Sequence, residues 1–284
     1  MKQIHNIKYF QTIILPRLIL IITLALSCIV WTGCARNTTP ISRTDFYFDT
    51  VIQITLYDTE DESVLDGCFA LAEKYENLFS ATKEGSDVWN INHGNGKTVT
   101  VSEETAALLV TAADCANTTE GAIDPTIRPV SALWNFGSDS EPHVPEDAAI
   151  KEALSHVSYE NIRFGTALSD ETGEPVYRTV TLADPEAAVD LGFIAKGYIA
   201  DKMKEYLLSQ GVKSACISLG GNVLAIGEKP DGSPFRIGIQ EPFAESGKSL
   251  GTIEIRDTSV VTSGIYERCF YENDVFYHHV LDTA

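Results

Sequence analysis

The stretch VDLGFIAKGYIADKM, residues 189–203, passes from an extended run into a helix and sets Asp190, Gly192 and Lys196 close together. It predicts the start of a helix that Gly211 ends in the position of a C-terminal cap. A lysine in the first turn lies at the positive end of the helix dipole, which disfavours it unless an anion binds there. The stretch therefore indicates either an anion site or a solvated first-turn lysine.

Hydrophobic periodicity predicts one strand and two helices before this stretch. Residues 46–58, FYFDTVIQITLYD, are rich in aromatic and β-branched residues with partial alternation, which predicts a strand. Apolar residues from Val64 to Phe79 recur at spacings of three and four, so we expect an amphipathic helix of about 17 residues. A further helix follows Ser102 as N-cap, with Gly121 beyond its end.

From Ser214 onward the sequence changes to short β runs, namely ACISL, VLAIG, FRIGI, GTIEI, SVVTS, CFYEN and VFYHHVL. The connection GEKPDGSPF carries Pro and Asp-Gly turn signals and predicts a hairpin-type link. Helices early and strands late, without βαβ alternation, predict an α+β fold.

The N-terminus is typical of an export signal. Residues 1–34 contain three basic residues and no acidic one, with an apolar run of about 14 residues from Leu18 to Trp31. A glycine before Cys34 resembles the lipobox of bacterial lipoproteins, which predicts an acylated Cys34 and a cell-membrane protein on the extracytoplasmic face. An uncleaved anchor and an ordinary cleaved signal are the alternatives. Residues 35–45 are interpreted as a tether.

Net charge and cysteine spacing argue against nucleic acid binding, a zinc site and a redox dithiol. The chain has 40 acidic and 21 basic residues and a net charge of −19, which disfavours nucleic acid binding. The cysteines after the signal are Cys68, Cys115, Cys216 and Cys269, without a C-x-x-C pair, so a zinc site or redox dithiol is disfavoured. Disulfides remain open in an exported chain, and buried free thiols are the preferred interpretation.

The segment EGAIDPTIRPVSALWNFG, residues 120–137, places Asp124 between a Gly-Ala pair and a proline. It predicts either a capping aspartate in a turn or a carboxylate held beside a ligand. In the second case Trp134 and Phe136 would supply an aromatic wall.

Two glycine turns are weaker signals. SLGGNVLAIG sets two glycines and Asn222 after an apolar strand, which predicts a tight hairpin more than a phosphate loop. Thr262, Ser263 and Gly264 could hold phosphate oxygens or form a plain strand-to-turn junction. The G-x-G-x-x-G and Walker patterns are absent from the sequence.

The segment FYHHVLD brings His278 and His279 together near residue 284. Adjacent side chains of a strand point to opposite faces, so the two imidazoles do not easily serve one metal. One of them is a candidate general base, and the other is a surface or packing residue.

Taken in order, these motifs resemble the ApbE family of FAD:protein FMN transferases. The segments that carry the resemblance, over residues 46–284, are FDT, LFSATKEGSDVWNIN, GAIDPTIRPVSALWNFG, VDLGFIAKGYIADKM, SLGGNVLAIG, VVTSGIYER and YHHVLD. The resemblance implies early helices packed on a mostly antiparallel sheet, and a lipoprotein signal also suits the family.

The resemblance implies a phosphoryl-transfer reaction. The family cleaves the pyrophosphate of FAD with Mg²⁺ and transfers FMN to a Thr or Ser hydroxyl of a client protein, releasing AMP. The implied client is of the flavin-bearing electron-transfer subunit type. Two alternatives use the same residues: an FAD pyrophosphatase, and a non-catalytic FAD-binding lipoprotein.

Site residues follow from the resemblance by position. His279 is the implied base for the acceptor hydroxyl, the main-chain carbonyl of Phe193 is a Mg²⁺ ligand, and Lys196 lies near the phosphates. Thr82 stands where relatives often carry an aromatic residue that stacks on the cofactor. The implied FAD contacts are Phe48, Thr82, Ala122, Ile123, Asp124, Asp190, Lys196, Thr262, Ser263, Gly264 and Leu281.

Relatives continue beyond the HHVLD motif to a later Asp and Thr that ligate Mg²⁺, whereas this sequence stops at Ala284. Mg²⁺ favours near-octahedral oxygen coordination with at least one carboxylate, so Phe193 alone does not hold it. We therefore expect either a fragment of a longer protein, which is the preferred interpretation, or a product that has lost its metal site.

Overall fold

A five-stranded antiparallel sheet organises the fold. It is seen in a computed structural model that describes residues 39–137, 141–165, 168–169, 175–244 and 247–283. The predicted signal peptide, its lipidated cysteine and the first part of the predicted tether lie outside these residues.

Two strands open the described chain, helices and short strands are mixed as far as α6, and only strands follow α6. The helices are α1 (Ser63–Phe79), α2 (Asp87–Asn92), α3 (Glu103–Thr118), α4 (Arg128–Ser131), α5 (Asp147–Leu154) and α6 (Ala195–Ser209). The strands are β1 (Ile41–Tyr47), β2 (Thr50–Leu56), β3 (Val99–Thr100), β4 (Ile162–Phe164), β5 (Leu168–Ser169), β6 (Pro175–Val176), β7 (Thr179–Leu182), β8 (Ala215–Leu219), β9 (Asn222–Ile226), β10 (Phe235–Gln240), β11 (Ser249–Ile255), β12 (Ser259–Val261), β13 (Cys269–Glu272) and β14 (Val275–His278).

The main sheet has the strand order β1-β2-β8-β9-β12, and its core face follows from alternation. In β2, Ile52, Ile54 and Leu56 are fully buried while Gln53 between them is exposed. Ile54 lies opposite Ile217 of β8, which is also fully buried. Each such side chain contributes about 1.5–3 kcal/mol relative to an exposed one, so a one-residue slip in register would be costly.

Helices α1 and α6 cover this face of the sheet. The predicted N-cap of α3 and the predicted glycines after α3 and α6 are found in the structure. Helix α1 buries Val64, Leu65, Cys68, Phe69, Ala72, Tyr75 and Phe79 against the sheet and α6. Helix α3 is capped by Ser102, whose Oγ accepts a hydrogen bond from Thr105 N at 3.1 Å. Gly121 and Gly211, beyond the ends of α3 and α6, adopt φ of +84° and +82°, as predicted.

Four small sheets complete the described fold. They are β10-β11, β13-β14, β3-β7-β4 and β5-β6. Among the described cysteines all are free thiols, and burial raises the pKa of Cys68 to about 12. Within the described ranges no helix has the length and apolar character needed to cross a membrane.

Three sequence expectations differ from the structure. The strand expected over 46–58 is a hairpin, because Phe48 and Asp49 both adopt left-handed φ, 55° and 53°, and reverse the chain between β1 and β2. Strand β1 begins at Ile41, inside the predicted tether, since each residue from Ile41 to Tyr47 pairs with β2.

The segment GEKPDGSPF is the third difference. It forms a turn in which Gly232 N donates to Lys229 O at 2.8 Å, but it joins β9 to β10, which belong to different sheets. Strand β10 pairs with β11 instead. The Pro and Asp-Gly signals correctly predicted the local turn. They do not determine which strand β10 pairs with.

The contact between α1 and α6 depends on a glycine. A Cβ on Gly67 would overlap the ring and hydroxyl of Tyr206. An alanine there raises helix propensity, yet the stiff ring has to move to make room. This close approach fixes the distance between the two helices that cover the sheet.

We therefore expect Gly67→Ala to lower the free energy of unfolding by about 1–2 kcal/mol, because overpacking outweighs the gain in helix propensity. The matched control is Gly197→Ala in α6, where an added Cβ meets nothing within 4 Å, and which should raise stability by about 0.5–1 kcal/mol. Urea unfolding followed by far-ultraviolet circular dichroism measures both. Equal stabilisation by the two substitutions would contradict the close approach.

Candidate functional site

Three turns meet at one end of the five-stranded sheet. The Phe48 turn joins β1 to β2, and Gly220 beside it donates its N–H to Val51 O at 3.0 Å. Gly220 and Gly221 form the β8–β9 hairpin turn that the sequence predicted, with φ of +57° and +87°. A Cβ on Gly221 would lie 4.0 Å from Thr262 Oγ1, which places the hydroxyl-and-glycine segment at the same end.

Phe48 and Thr82 are brought together at the C-terminal end of α1. Phe48 N donates to Glu76 Oε1 at 2.9 Å, and Lys83 Nζ pairs with Glu76 Oε2 at 3.1 Å. Thr82 is exposed, and its backbone N–H donates to Ser80 Oγ at 3.3 Å in a local turn. Both residues implied as cofactor contacts therefore lie near the C-terminal end of α1.

The extended part of the stretch 189–203 is held by a side chain far away in sequence. Asn92 Nδ2 donates to Val189 O at 2.9 Å, and Val189 N donates to Asn92 Oδ1 at 2.7 Å. Asp190 N donates to Pro125 O at 2.8 Å. The segments that contain Asp124 and Asp190 are thus joined by backbone hydrogen bonding.

Asp190 is not the cap of α6. The N-cap of α6 is Ile194, without a side-chain hydrogen bond. The Asp190 carboxylate instead accepts from Gly192 N at 2.7 Å and pairs with Arg128 Nη1 at 3.4 Å. The carboxylate shapes the turn that leads into α6.

Asp124 forms the turn that one interpretation of the sequence predicted. Its Oδ1 accepts from Thr126 N at 2.8 Å and from the Thr126 hydroxyl at 2.6 Å, while its Oδ2 accepts from Tyr159 N at 2.9 Å. It lines a cavity of about 290 Å³ together with Leu154, Tyr159 and Thr283. Ala122 and Ile123, just before Asp124, are exposed.

Lys196, Arg268 and His279 form a basic cluster. Lys196 is half-buried in the first turn of α6, and its Nζ donates to Gly192 O at 3.2 Å. Burial, followed by the positive charge of Arg268, lowers the pKa of Lys196, and Asp190 opposes this shift. Lysine and arginine in this arrangement repel each other, so the cluster favours an anion.

His279 lies in the same cluster. Its backbone N donates to Arg268 O at 3.0 Å, and its Nδ1 is buried with no hydrogen-bond partner among the described residues. Burial, and then the charges of Arg268, His278 and Lys196, lower the pKa of His279, while the backbone of Arg268 opposes this shift. The imidazole is therefore neutral at pH 7 and able to accept a proton.

The predicted aromatic wall packs within the protein. Trp134 contacts Tyr277 at a ring distance of 5.6 Å, and Phe136 contacts Phe270 at 5.5 Å. The Phe270 and Tyr277 rings stack at 5.3 Å across the β13–β14 hairpin. These four rings support the β13–β14 hairpin, which Arg268 and His279 flank.

The described donor atoms do not fit a Mg²⁺ site. In the described part of the chain no group of three or more His, Cys, Asp or Glu side chains is placed to hold a metal. Phe193 is 47% exposed in the turn before α6, and the nearby Asp190 carboxylate is engaged by Gly192 and Arg128. One main-chain carbonyl does not satisfy octahedral coordination.

Three residues of this region were missed by sequence reasoning. Asn92 and Arg128 lie inside quoted motifs, but their partners are 97 and 62 residues away. Arg268 ends the motif VVTSGIYER, which by itself assigns it no role. The available signal was a cation four residues after Gly264 in a strongly acidic chain.

The chain is similar to known flavin transferases. The sequence pattern of the ApbE family matches residues 48–284. An FAD:protein FMN transferase of Klebsiella pneumoniae is 36% identical over 81% of this chain and 68% of its own length. One from Treponema pallidum is 33% identical over 86% and 69%.

Solved structures agree with these sequence relatives. The ApbE protein of Thermotoga maritima superposes with a TM-score of 0.76 at 32% identity, covering 86% of this chain and 77% of that one. The flavin transferase ApbE of Vibrio cholerae gives 0.73 at 26% identity, covering 86% and 76%. The α+β fold expected from the sequence is confirmed by both.

We expect Asn92→Ala to lower the free energy of unfolding by about 2–4 kcal/mol, because it leaves two buried backbone groups of Val189 without partners. Asn90→Ala in the same helix is the matched control. Asn90 donates one hydrogen bond, to Gly85 O at 3.2 Å, so its loss should cost about 1 kcal/mol or less. Urea unfolding and hydrogen exchange at the Val189 amide test this, and equal losses would contradict it.

His156 predicts a pH dependence of stability. Its hydrogen bond to Asp184, with Nδ1 to Oδ2 at 2.8 Å, raises its pKa above 6.5. The stabilisation is complete below pH 6.5 and is lost as the pH rises through the raised folded-state pKa. The melting temperature should therefore fall over that interval in the wild type and less in His156→Gln. Parallel pH profiles would contradict the prediction.

Proposed function

Because the chain belongs to the ApbE family, we propose that it transfers FMN from FAD to a Thr or Ser hydroxyl of a client protein and releases AMP. The observation that supports this most directly is the basic cluster. An imidazole with a lowered pKa, whose buried Nδ1 has no hydrogen-bond partner among the described residues, lies near a lysine at the start of a helix, in a chain of net charge −19. A base and a cation placed together are the groups expected where a proton is transferred beside phosphates.

In the proposed reaction the acceptor hydroxyl oxygen attacks the phosphorus of the FMN half. The bond from that phosphorus to the bridging oxygen breaks, and AMP leaves with the bridging oxygen. His279 takes the hydroxyl proton, since its lowered pKa keeps it unprotonated. Lys196 neutralises phosphate charge, with α6 amides on the same side.

The other proposed contacts fall into two groups. Phe48 and Thr82 would meet the flavin end, and Ala122, Ile123 and Asp124 the adenosine end. Asp190, Leu281 and the turn of Thr262, Ser263 and Gly264 would line the pyrophosphate between them. The end of α1 reaches the first turns of α6 through the Phe79 and Tyr198 rings, 5.6 Å apart, which is consistent with one continuous site.

Mg²⁺ dependence belongs to the proposal as an inference from the family. The Phe193 carbonyl would be one ligand, and bound Mg²⁺ would neutralise phosphate charge. Because the described donors do not fit the ion, no step above depends on it. Lipidation of Cys34 and attachment to the extracytoplasmic face of the membrane are likewise proposed from the sequence.

The test supplies FAD, Mg²⁺ and a flavin-bearing electron-transfer subunit with an acceptor Thr. We expect covalent flavin on the client, seen by in-gel fluorescence, and one AMP released per flavin. His279→Gln should lower the rate by about 10²–10⁴-fold with FAD affinity retained. His278→Gln, the adjacent imidazole, is the matched control and should retain activity.

The outcomes separate the alternatives. AMP release that does not depend on the client would identify an FAD pyrophosphatase. FAD binding without AMP release, with or without Mg²⁺, would identify a binding lipoprotein. Full activity of His279→Gln would remove the assigned base while leaving the transferase in place.

A further inference from the structure

Arg268, like Arg163 and Arg236, differs from the other described arginines in having no carboxylate partner. In the described ranges Arg43, Arg128, Arg178 and Arg256 each pair with a carboxylate. Arg268 has no carboxylate within ion-pair distance among the same residues, although acidic side chains outnumber basic ones by 40 to 21. Its guanidinium is exposed and available to a ligand.

The position of Arg268 is fixed by two contacts. Its carbonyl accepts from His279 N at 3.0 Å, which places it opposite His279 at the end of the β13–β14 hairpin. Its guanidinium lies over Gly137, where a Cβ would stand 3.2 Å from Nη1 and 3.4 Å from Cζ. The missing side chain at Gly137 leaves the space that the guanidinium occupies.

Arg268 acts electrostatically on both proposed site residues. After burial, its charge lowers the pKa of Lys196 and contributes to lowering the pKa of His279. Lys196 and Arg268 repel each other, and because Asp190 opposes this effect without outweighing it, an added anion stabilises the pair. A guanidinium fork matches two phosphate oxygens, whereas an ammonium acts as a point charge.

We propose that Arg268 binds the pyrophosphate of FAD as a second cationic ligand beside Lys196. This rests on the proposed function and adds a binding residue to the same site. The guanidinium, set by Gly137 and by the hairpin, would orient the phosphates toward His279, while Lys196 supplies charge from the opposite element, α6.

FAD titration of Arg268→Gln at fixed ionic strength tests the proposal. We expect the dissociation constant for FAD to rise about 10- to 100-fold, as for Lys196→Ala, because each removes a charge-assisted hydrogen bond. Competition by riboflavin, which has no phosphate, should be unchanged. Arg236→Gln removes an exposed arginine of β10 and serves as the matched control, with unchanged FAD affinity.

Two further variants keep the test independent of folding. Arg268→Lys keeps the charge and loses the fork, so its FAD affinity should fall between wild type and Arg268→Gln. Gly137→Ala pushes the guanidinium aside and should weaken FAD binding while leaving riboflavin competition intact. Thermal melts confirm that each variant is folded.

The outcomes distinguish this proposal from the proposed function. If the wild type binds FAD and transfers FMN, and Arg268→Gln binds FAD within twofold of it, the role of Arg268 is overturned and the transferase stands. Equal losses for FAD and riboflavin would show a structural role only. A wild type that binds no FAD would overturn both.

Discussion

The hydrogen-bonded pair between the Asn92 amide and the backbone of Val189 is the constraint on which the site depends. Val189 is fully buried, so its N–H and C=O need partners inside the protein. The amide supplies a donor and an acceptor as a neighbouring strand would. Asp190 is thereby held against Pro125, and the turn into α6 begins at a defined point.

The position of the basic cluster depends on this turn. The turn places Lys196 in the first turn of α6, and the β13–β14 hairpin brings Arg268 and His279 to it. The hairpin is held by the rings of Trp134 and Phe136, which follow the Asp124 turn. Burial and repulsion between like charges destabilise the cluster when no anion is bound. Both effects favour the binding of a phosphate.

Local periodicity was enough to predict much of the fold. The 3.6-residue pattern gave α1, α3 and α6, and Gly121 and Gly211 marked two ends, because these features depend on neighbouring residues. The β1–β2 turn was missed because Phe48 and Asp49 carry no glycine or proline signal. The roles of Asn92, Arg128 and Arg268 depend on partners far along the chain, which single-sequence patterns do not encode.

The two aspartates that the family resemblance assigns to FAD binding also have structural roles. Each carboxylate is already hydrogen bonded within the protein, Asp124 to Thr126 and Tyr159, and Asp190 to Gly192 and Arg128. A carboxylate has about four lone-pair positions, so some remain for a ligand. Yet removing either one would first release a turn. Their contribution to binding is therefore inseparable from positioning, whereas Lys196 and Arg268, without carboxylate ion-pair partners in the described residues, contribute through their charge.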